Sequence, residues 1–466
     1  MSETKRAIRN PAAAAADAVY LPQAQSLTQA GFDAALAEIS GWPGYAVTPL
    51  VSLDALAAGL GLGAIHIKDE GQRFGLKSFK ALGGAYAVAE LLRRHLASAG
   101  GPTRISSREL LSGAFAEQLH AVTVTCATDG NHGRSVAWGA QLFGCRCVIF
   151  VPALVSQVRR DAIARYGAEV REVEGNYDAV VRHAAATAKA EGWTVVSDTS
   201  YPGYRDIPLD VMHGYGVVPA EIEAQLAAPP THVFVQAGVG ALAAAVCAHF
   251  WMHWGRERPR FVVVEPLRAD CVYRSLAAGR PTVVDGALDT VMGGLSCGEI
   301  SELAWDVLRT GANAMVALDD AYALQAMRML ARPAGGDPAI VAGETGGAGL
   351  AALIAAHDDA SIRQVLGLDG NSRVLLLNSE GDTDPEIYQE VIAGGSPCLL
   401  YTSDAADDLL CVDLGGRRII KKKTNNHTDI YPAYDSPHTP IPTTHLPPLP
   451  TPPTSHNCQH TSARNT

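Results

Sequence analysis

A chain of 466 residues, at roughly 100–200 residues per domain, has room for two or three domains. Its 47% hydrophobic content and mean hydropathy of +0.06 supply a buried core, and no apolar run reaches the roughly 18 residues of a membrane span. The formal net charge of -11, with no long basic run in residues 1–395, argues against nucleic acid as a partner.

The polar start, Met1 to Arg6, leads into Ala12–Ala16, which is too short and too weakly apolar for a secretory signal. The pattern predicts a soluble, cytoplasmic protein. Nine cysteines are scattered without a framework, and no CxxC pairs with a second CxxC or with HxxxH, so no metal site is expected.

From about residue 120, apolar β-branched runs alternate with helical patterns. Ala121–Thr125 reads as a strand and His132–Phe143 as a helix. Strand 147–151, helix 157–166, strand 169–173, helix 177–191 and strand 194–197 follow. The pattern restarts with strand 231–235, helix 241–251 and strand 261–264, and a late strand covers 373–377. Short buried strands separated by helices of 10–15 residues are βαβ units. The expected fold is α/β: two open parallel-sheet domains with helices on both faces and a ligand cleft at the strands' carboxyl ends.

The last seventy residues change character. Ser396–Lys423 lacks a clear period, and nine of the 27 prolines lie beyond Tyr431, so 396–466 is expected to be a disordered tail. Cys398 to Lys423 resembles a conceptual translation of a synthetic sequencing adapter. That implies a non-native tail and a native end near Gly395.

Three segments carry chemistry. In Ser78-Phe79-Lys80, a lysine between an aromatic ring and small residues can sit partly desolvated at a helix start, with an ordinary surface lysine as the plain reading. Desolvation lowers a lysine pKa, and a neutral amine attacks an aldehyde. Lys77 is a rival. Thr128-Asp129-Gly130-Asn131-His132-Gly133-Arg134 lies between strand and helix, where free amides and the helix dipole suit a carboxylate. A plain helix cap by Asp129 or Asn131 would explain it too. In Gln236-Ala237-Gly238-Val239-Gly240-Ala241-Leu242, two glycines let the backbone approach a phosphate. The fuller dinucleotide fingerprint fails at Ala243.

In this order the three segments resemble the fold-type II pyridoxal-phosphate (PLP) enzymes. Within them, the chain is most similar to the diaminopropionate ammonia-lyases. The carrying residues are Trp42-Pro43-Gly44-Tyr45, Arg73-Phe74-Gly75-Leu76, Ser78-Phe79-Lys80, Thr128 to Arg134, Asp198-Thr199-Ser200, Gln236 to Gly240, and Glu380-Gly381-Asp382-Thr383-Asp384. The likeness covers about residues 20–395.

The resemblance implies PLP as cofactor, held in the cleft between the domains as a Schiff base on Lys80. Gly238, Val239, Gly240, Ala241 and Leu242 would offer amides to its phosphate, and Asn131 would meet its ring hydroxyl. Ser379 would meet its ring nitrogen, with Asp382 nearby. Thr128, Gly130 and His132 would flank the substrate carboxylate. The implied domains are a large PLP-binding one (1–82 and 193–395) and a small α/β one (83–192), with a homodimer as the assembly. Tyr45, Trp42 and Glu344 are further cleft candidates, with plain packing as the alternative for the two aromatics. Cys271 and Cys297 border Gly-rich loops, and buried thiols are favoured over a disulfide between them.

The dehydratases of the family carry a small neutral residue where this chain has Asp129. A carboxylate there attracts a β-ammonium group and can take the α-proton. With Asp198 as a second base on the opposite face, the implied reaction is α,β-elimination of 2,3-diaminopropionate (D and/or L) to pyruvate and ammonia. An Asx-turn at Asp198 is the plain alternative. Aspartate is a weak base at its ordinary pKa of about 3.9, so burial would need to raise it. A threonine or serine dehydratase, or a non-catalytic PLP-binding protein, are the competing readings.

Overall fold

The computed structural model describes residues 4–20, 26–128, 130–153, 155–175 and 177–396. Asp129 and residues 397–466, which include nearly all of the expected tail, lie outside the described residues. The strands, most of them rich in valine, isoleucine and leucine, begin with β1 (Lys5–Arg9), β2 (Leu50–Ser52), β3 (Ala64–Asp69), β4 (Thr123–Ala127), β5 (Arg146–Pro152) and β6 (Glu169–Val173). The chain continues with β7 (Thr194–Val195), β8 (His232–Gln236), β9 (Arg260–Pro266), β10 (Ala314–Leu318) and β11 (Arg373–Asn378).

They pair into two sheets. The larger has the order β1-β10-β9-β8-β11-β3-β2 and the smaller β6-β5-β4-β7. The small sheet is parallel throughout. The large one is parallel from β10 to β3 and is closed at its edges by β1 and β2, which run antiparallel to β10 and β3. The β7–β4 pairing carries the small sheet to Val195, three residues past the expected boundary at 192.

Parallel strands apolar on both faces need cover on both. In β8, Val233 and Val235 face one core with the helix Ala241–Trp254. Phe234, between them, faces the other core with the helix Ala348–Asp358. Both helices are alanine-rich and buried around most of their circumference, as helices inside a large core must be.

The helix Lys80–Ser98 packs against the small-sheet helix Asn131–Phe143 and against Asp206–Tyr215. The first approach is close: a Cβ on Gly84 would lie 1.9 Å from Ser135 Oγ. The helix that begins with Lys80 is therefore locked to the helix that begins with Asn131. The three chemical motifs all follow, or lie beside, the carboxyl ends of β4, β8 and β11.

Candidate active site

The approach to Lys80 is unusually bent. Phe74 and Lys77 adopt left-handed backbone (φ 53° and 57°) around a short 3-10 turn at Arg73–Gly75. Such residues persist only where their surroundings over-determine them. Here the segment is stitched to the end of β11. Phe79 N donates to Ser379 O (3.1 Å) and Gly381 N to Lys77 O (3.0 Å), on either side of a bridge between Ser78 and Glu380.

Lys80 Nζ donates to Asp198 Oδ2 at 2.5 Å and lies over the rings of Phe79 (5.4 Å) and Tyr215 (5.8 Å). The expectation that desolvation would lower the lysine is corrected. Burial is the largest single influence and lowers it, but the Asp198 charge and hydrogen bond, with Tyr215, together outweigh burial and hold Lys80 above its ordinary range. Asp198 shifts the other way: burial raises it, yet Lys80 and then His132 hold it well below the usual carboxylate range. Lys77, the rival, is turned away and pairs with Asp382 at 2.9 Å.

The second motif is organised by Thr128. Its Oγ1 accepts from Gly130 N (3.1 Å) and Gly133 N (3.2 Å), so the cap comes from Thr128 and not from Asn131. His132 Nε2 meets Val196 O (2.8 Å), and its Nδ1 is 4.0 Å from Asp198 Oδ2. That joins the loop after β4 to Lys80 through Asp198. Asp198 is thereby a partner of Lys80 and His132, not a turn former. Asn131 Nδ2 donates to Glu380 Oε2 (2.5 Å) across to the large sheet.

The third motif forms a tight turn. A Cβ on Gly238 would sit 2.9 Å from Cys297 Sγ and 3.0 Å from Gly294 O, and Gly240 is left-handed at φ 91°. The helix Ala241–Trp254 then opens without a side-chain cap, leaving its first amides for an anion. Beside the turn, Gln236 Nε2 donates to Ser379 Oγ (2.6 Å). The buried Gln236 Oε1 and Thr345 Oγ1 have no hydrogen-bond partner among the described residues. An uncapped amide cluster, a buried lysine and unsatisfied polar atoms fit a phosphate-bearing aldehyde such as PLP. Cys271 stands as a free thiol donating to Gly238 O (3.5 Å) and is not joined to Cys297. Burial, then Glu265, pushes its thiol well above the usual range.

Trp42 and Tyr45 have other partners. Trp42 is buried among Phe74, Trp138 and Phe143, with its indole N–H on Ser107 Oγ (2.9 Å). Tyr45 donates to Glu221 (3.0 Å) and belongs to a charged network that sequence reasoning missed. There Arg73 donates to Glu70 and Glu221, and Lys68 to Glu221, Thr48 O and Gln225. Glu221 lies about 150 residues from its partners, and no spacing signal links them. Tyr215, over Lys80, was missed for the same reason. Among the described residues no group of three or more His, Cys, Asp or Glu could hold a metal, and no helix is long and apolar enough to cross a membrane.

Known proteins resemble this chain in sequence and in fold. Residues 42–380 match the family model described as pyridoxal-phosphate dependent enzyme. The diaminopropionate ammonia-lyase of Escherichia coli K12 is 42% identical over 360 residues, covering 76% of this chain and 88% of that protein. The crystal structure of holo diaminopropionate ammonia lyase from E. coli superposes with a TM-score of 0.77 at 37% identity, covering 84% of this chain and 97% of that one. Its complex with an aminoacrylate-PLP azomethine reaction intermediate gives 0.75 at the same identity, covering 84% and 97%. The chain belongs to the fold-type II pyridoxal-phosphate dependent enzymes, and within them to the diaminopropionate ammonia-lyases.

Proposed function

We propose that this enzyme eliminates ammonia from 2,3-diaminopropionate, giving pyruvate and a second ammonia, with Lys80 and Asp198 at the reacting carbon. The observation that carries it is the contact of a half-buried lysine with a carboxylate at the carboxyl edge of the sheets' parallel strands. When bound, PLP supplies an electron sink for the charge left on the substrate α-carbon.

Lys80 holds the cofactor through its ε-nitrogen. The amides of Gly238, Val239, Gly240, Ala241 and Leu242 neutralise the phosphate. Ser379, held by Gln236, would meet the ring nitrogen, and Asn131 would meet the ring hydroxyl. Thr128, Gly130 and His132 orient the substrate carboxylate.

Asp198 takes the α-proton on its side. While the Lys80 ammonium faces it, Asp198 is a poor base. With the Lys80 nitrogen uncharged, the carboxyl would lose its strongest lowering influence, and burial would drive it upward. Asp129 serves the other face, and its charge favours a β-ammonium over a β-hydroxyl.

The same reading keeps a large domain of 1–82 and 193–395 around a small one of 83–192. It also makes the enzyme a cytoplasmic homodimer, which sedimentation of the purified protein checks for the dimer. The test of function is pyruvate release from each diaminopropionate enantiomer, beside 2-oxobutyrate release from threonine. Turnover of threonine or serine in preference to diaminopropionate overturns the assignment.

A further inference from the structure

Tyr215 is fully buried, yet its phenol Oη has no hydrogen-bond partner among the described residues. A buried hydroxyl left unpaired costs free energy, and one kept beside a reactive group calls for a partner that comes and goes.

Two close helix approaches impose its place. Tyr215 closes the helix Asp206–Tyr215, and Gly83 lies about one turn beyond Lys80 on the helix Lys80–Ser98. A Cβ on Gly83 would lie 2.4 Å from Tyr215 Cε1, and a Cβ on Gly214 would lie 2.4 Å from Leu82 O. A side chain at either glycine would force the helices apart and carry the phenol away from Lys80. The Phe79 ring packs on the same phenol, 4.7 Å between centroids.

The Lys80 ammonium lies over the Tyr215 ring, 5.8 Å from its centroid, while its hydrogen bond goes to Asp198. The charged groups that act on the phenol are those same two, Lys80 and Asp198. Burial, the largest influence, pushes the phenol above its ordinary range, so it stands as a donor. One lysine nitrogen thus has two neighbours of different kinds: a carboxylate, which only accepts, and a phenol, which can donate.

We propose that Tyr215 holds the Lys80 nitrogen once substrate has displaced it from the cofactor, and so keeps it off Asp198. The displacement is an amine exchange. The bond from the lysine nitrogen to the cofactor carbon breaks as the bond from the substrate nitrogen forms, and the two hydrogens of a neutral substrate amine end on the lysine. Lys80 therefore leaves as a neutral amine with a lone pair. The Asp198 carboxylate has no hydrogen to offer that lone pair, and the phenol does. With the amine on Tyr215, Asp198 is free of the contact that makes it a poor base. Tyr215 is on this account a positioning residue. The inference rests on Lys80 as the cofactor's attachment point and on Asp198 as the base of one face.

The test is Tyr215→Phe, which removes one oxygen and keeps the ring. In the cofactor-free protein its thermal unfolding midpoint is expected to be no lower than that of the wild type, since the lost hydroxyl had no partner. The borohydride-trapped PLP adduct should still form on Lys80. With PLP bound, kcat is expected to fall about tenfold on the diaminopropionate enantiomer that Asp198→Asn also slows, and by less than about twofold on the other. Tyr215→3-fluorotyrosine keeps the donor and should keep the wild-type ratio between enantiomers, which covers the case of Tyr215→Phe folding poorly. Equal loss on both enantiomers with a lowered midpoint would make Tyr215 a packing residue and overturn the inference. So would no loss on either enantiomer. A wild type with no adduct on Lys80 overturns the reading of the whole site instead.

Discussion

Lys68 and Lys80 each donate to a carboxylate, Glu221 at 2.7 Å and Asp198 at 2.5 Å, yet their surroundings differ in the way that separates a brace from a reactive group. The Lys68 and Glu221 side chains are 0% and 3% exposed, and all three ammonium protons are placed, on Glu221, Thr48 O and Gln225. Lys80 is 20% exposed, with Asp198 as its acceptor and two aromatic faces. An ammonium has three donors, so the first is saturated and the second is not. A saturated lysine cannot approach an electrophile without breaking several buried bonds, whereas Lys80 must break only one. Burial lowers Lys68, and Arg73 adds to that, while Asp198 holds Lys80 up. A perturbed lysine is thus not by itself the reactive one; the number of bonds it must give up decides.

The largest effect tests that contrast directly. Lys80→Ala is expected to lower turnover by on the order of 10³ or more. It should also abolish the borohydride-trapped cofactor adduct in peptide mapping. An adduct on Lys68 or Lys77 instead would break the comparison.

On the other side, Glu221→Ala strands Lys68 and Arg73 in the interior and is expected to cost about 3–5 kcal/mol in urea unfolding. Asp198→Asn, at the more open pair, should leave most of the stability. It should lower kcat by about 10² on one diaminopropionate enantiomer; equal loss on both would contradict a two-base scheme.

The Lys80–Asp198 pair also predicts a pH signature for the cofactor-free protein. Asp198 is held below its ordinary 3.8, so its stabilisation is present above that value and fades as the pH falls through it. Lys80 is held above 10.5, so its share is present below that value and fades as the pH rises past it. Asp198→Asn should flatten both limbs in thermal unfolding measured across pH. The smallest change is expected for Lys77→Ala. Its ion pair with Asp382 is about a third exposed and worth about 0–1 kcal/mol in urea unfolding.

Much of the fold was legible because its strands are local signals. Glu169–Val173 and the helix Tyr177–Glu191 fall where the periodicity places them. The edge strands β1 and β2 were not legible, since Lys5–Arg9 has no apolar run and becomes a strand only because β10 offers it an edge. In the site, Lys80 was marked by its local segment and Asp198 by resemblance. Their contact, 118 residues apart in sequence, needed the folded chain. The direction of the Lys80 shift was misjudged for that reason: burial is a property of the neighbourhood, but the countervailing charge belongs to a distant residue. Trp42 was a cleft candidate with plain packing as the alternative, because aromatic residues serve both, and in the fold its ring lies among Phe74, Trp138 and Phe143.

The short strand at the start of the chain has a practical consequence for anyone making this protein. It places Lys5, Arg6 and Arg9 along the rim of a sheet whose next member, β10, is buried along its whole length. Charged rim strands keep a sheet from recruiting foreign chains. Deleting the first nine residues would bare an apolar ribbon with unmet amides. Variants trimmed there should precipitate on concentration.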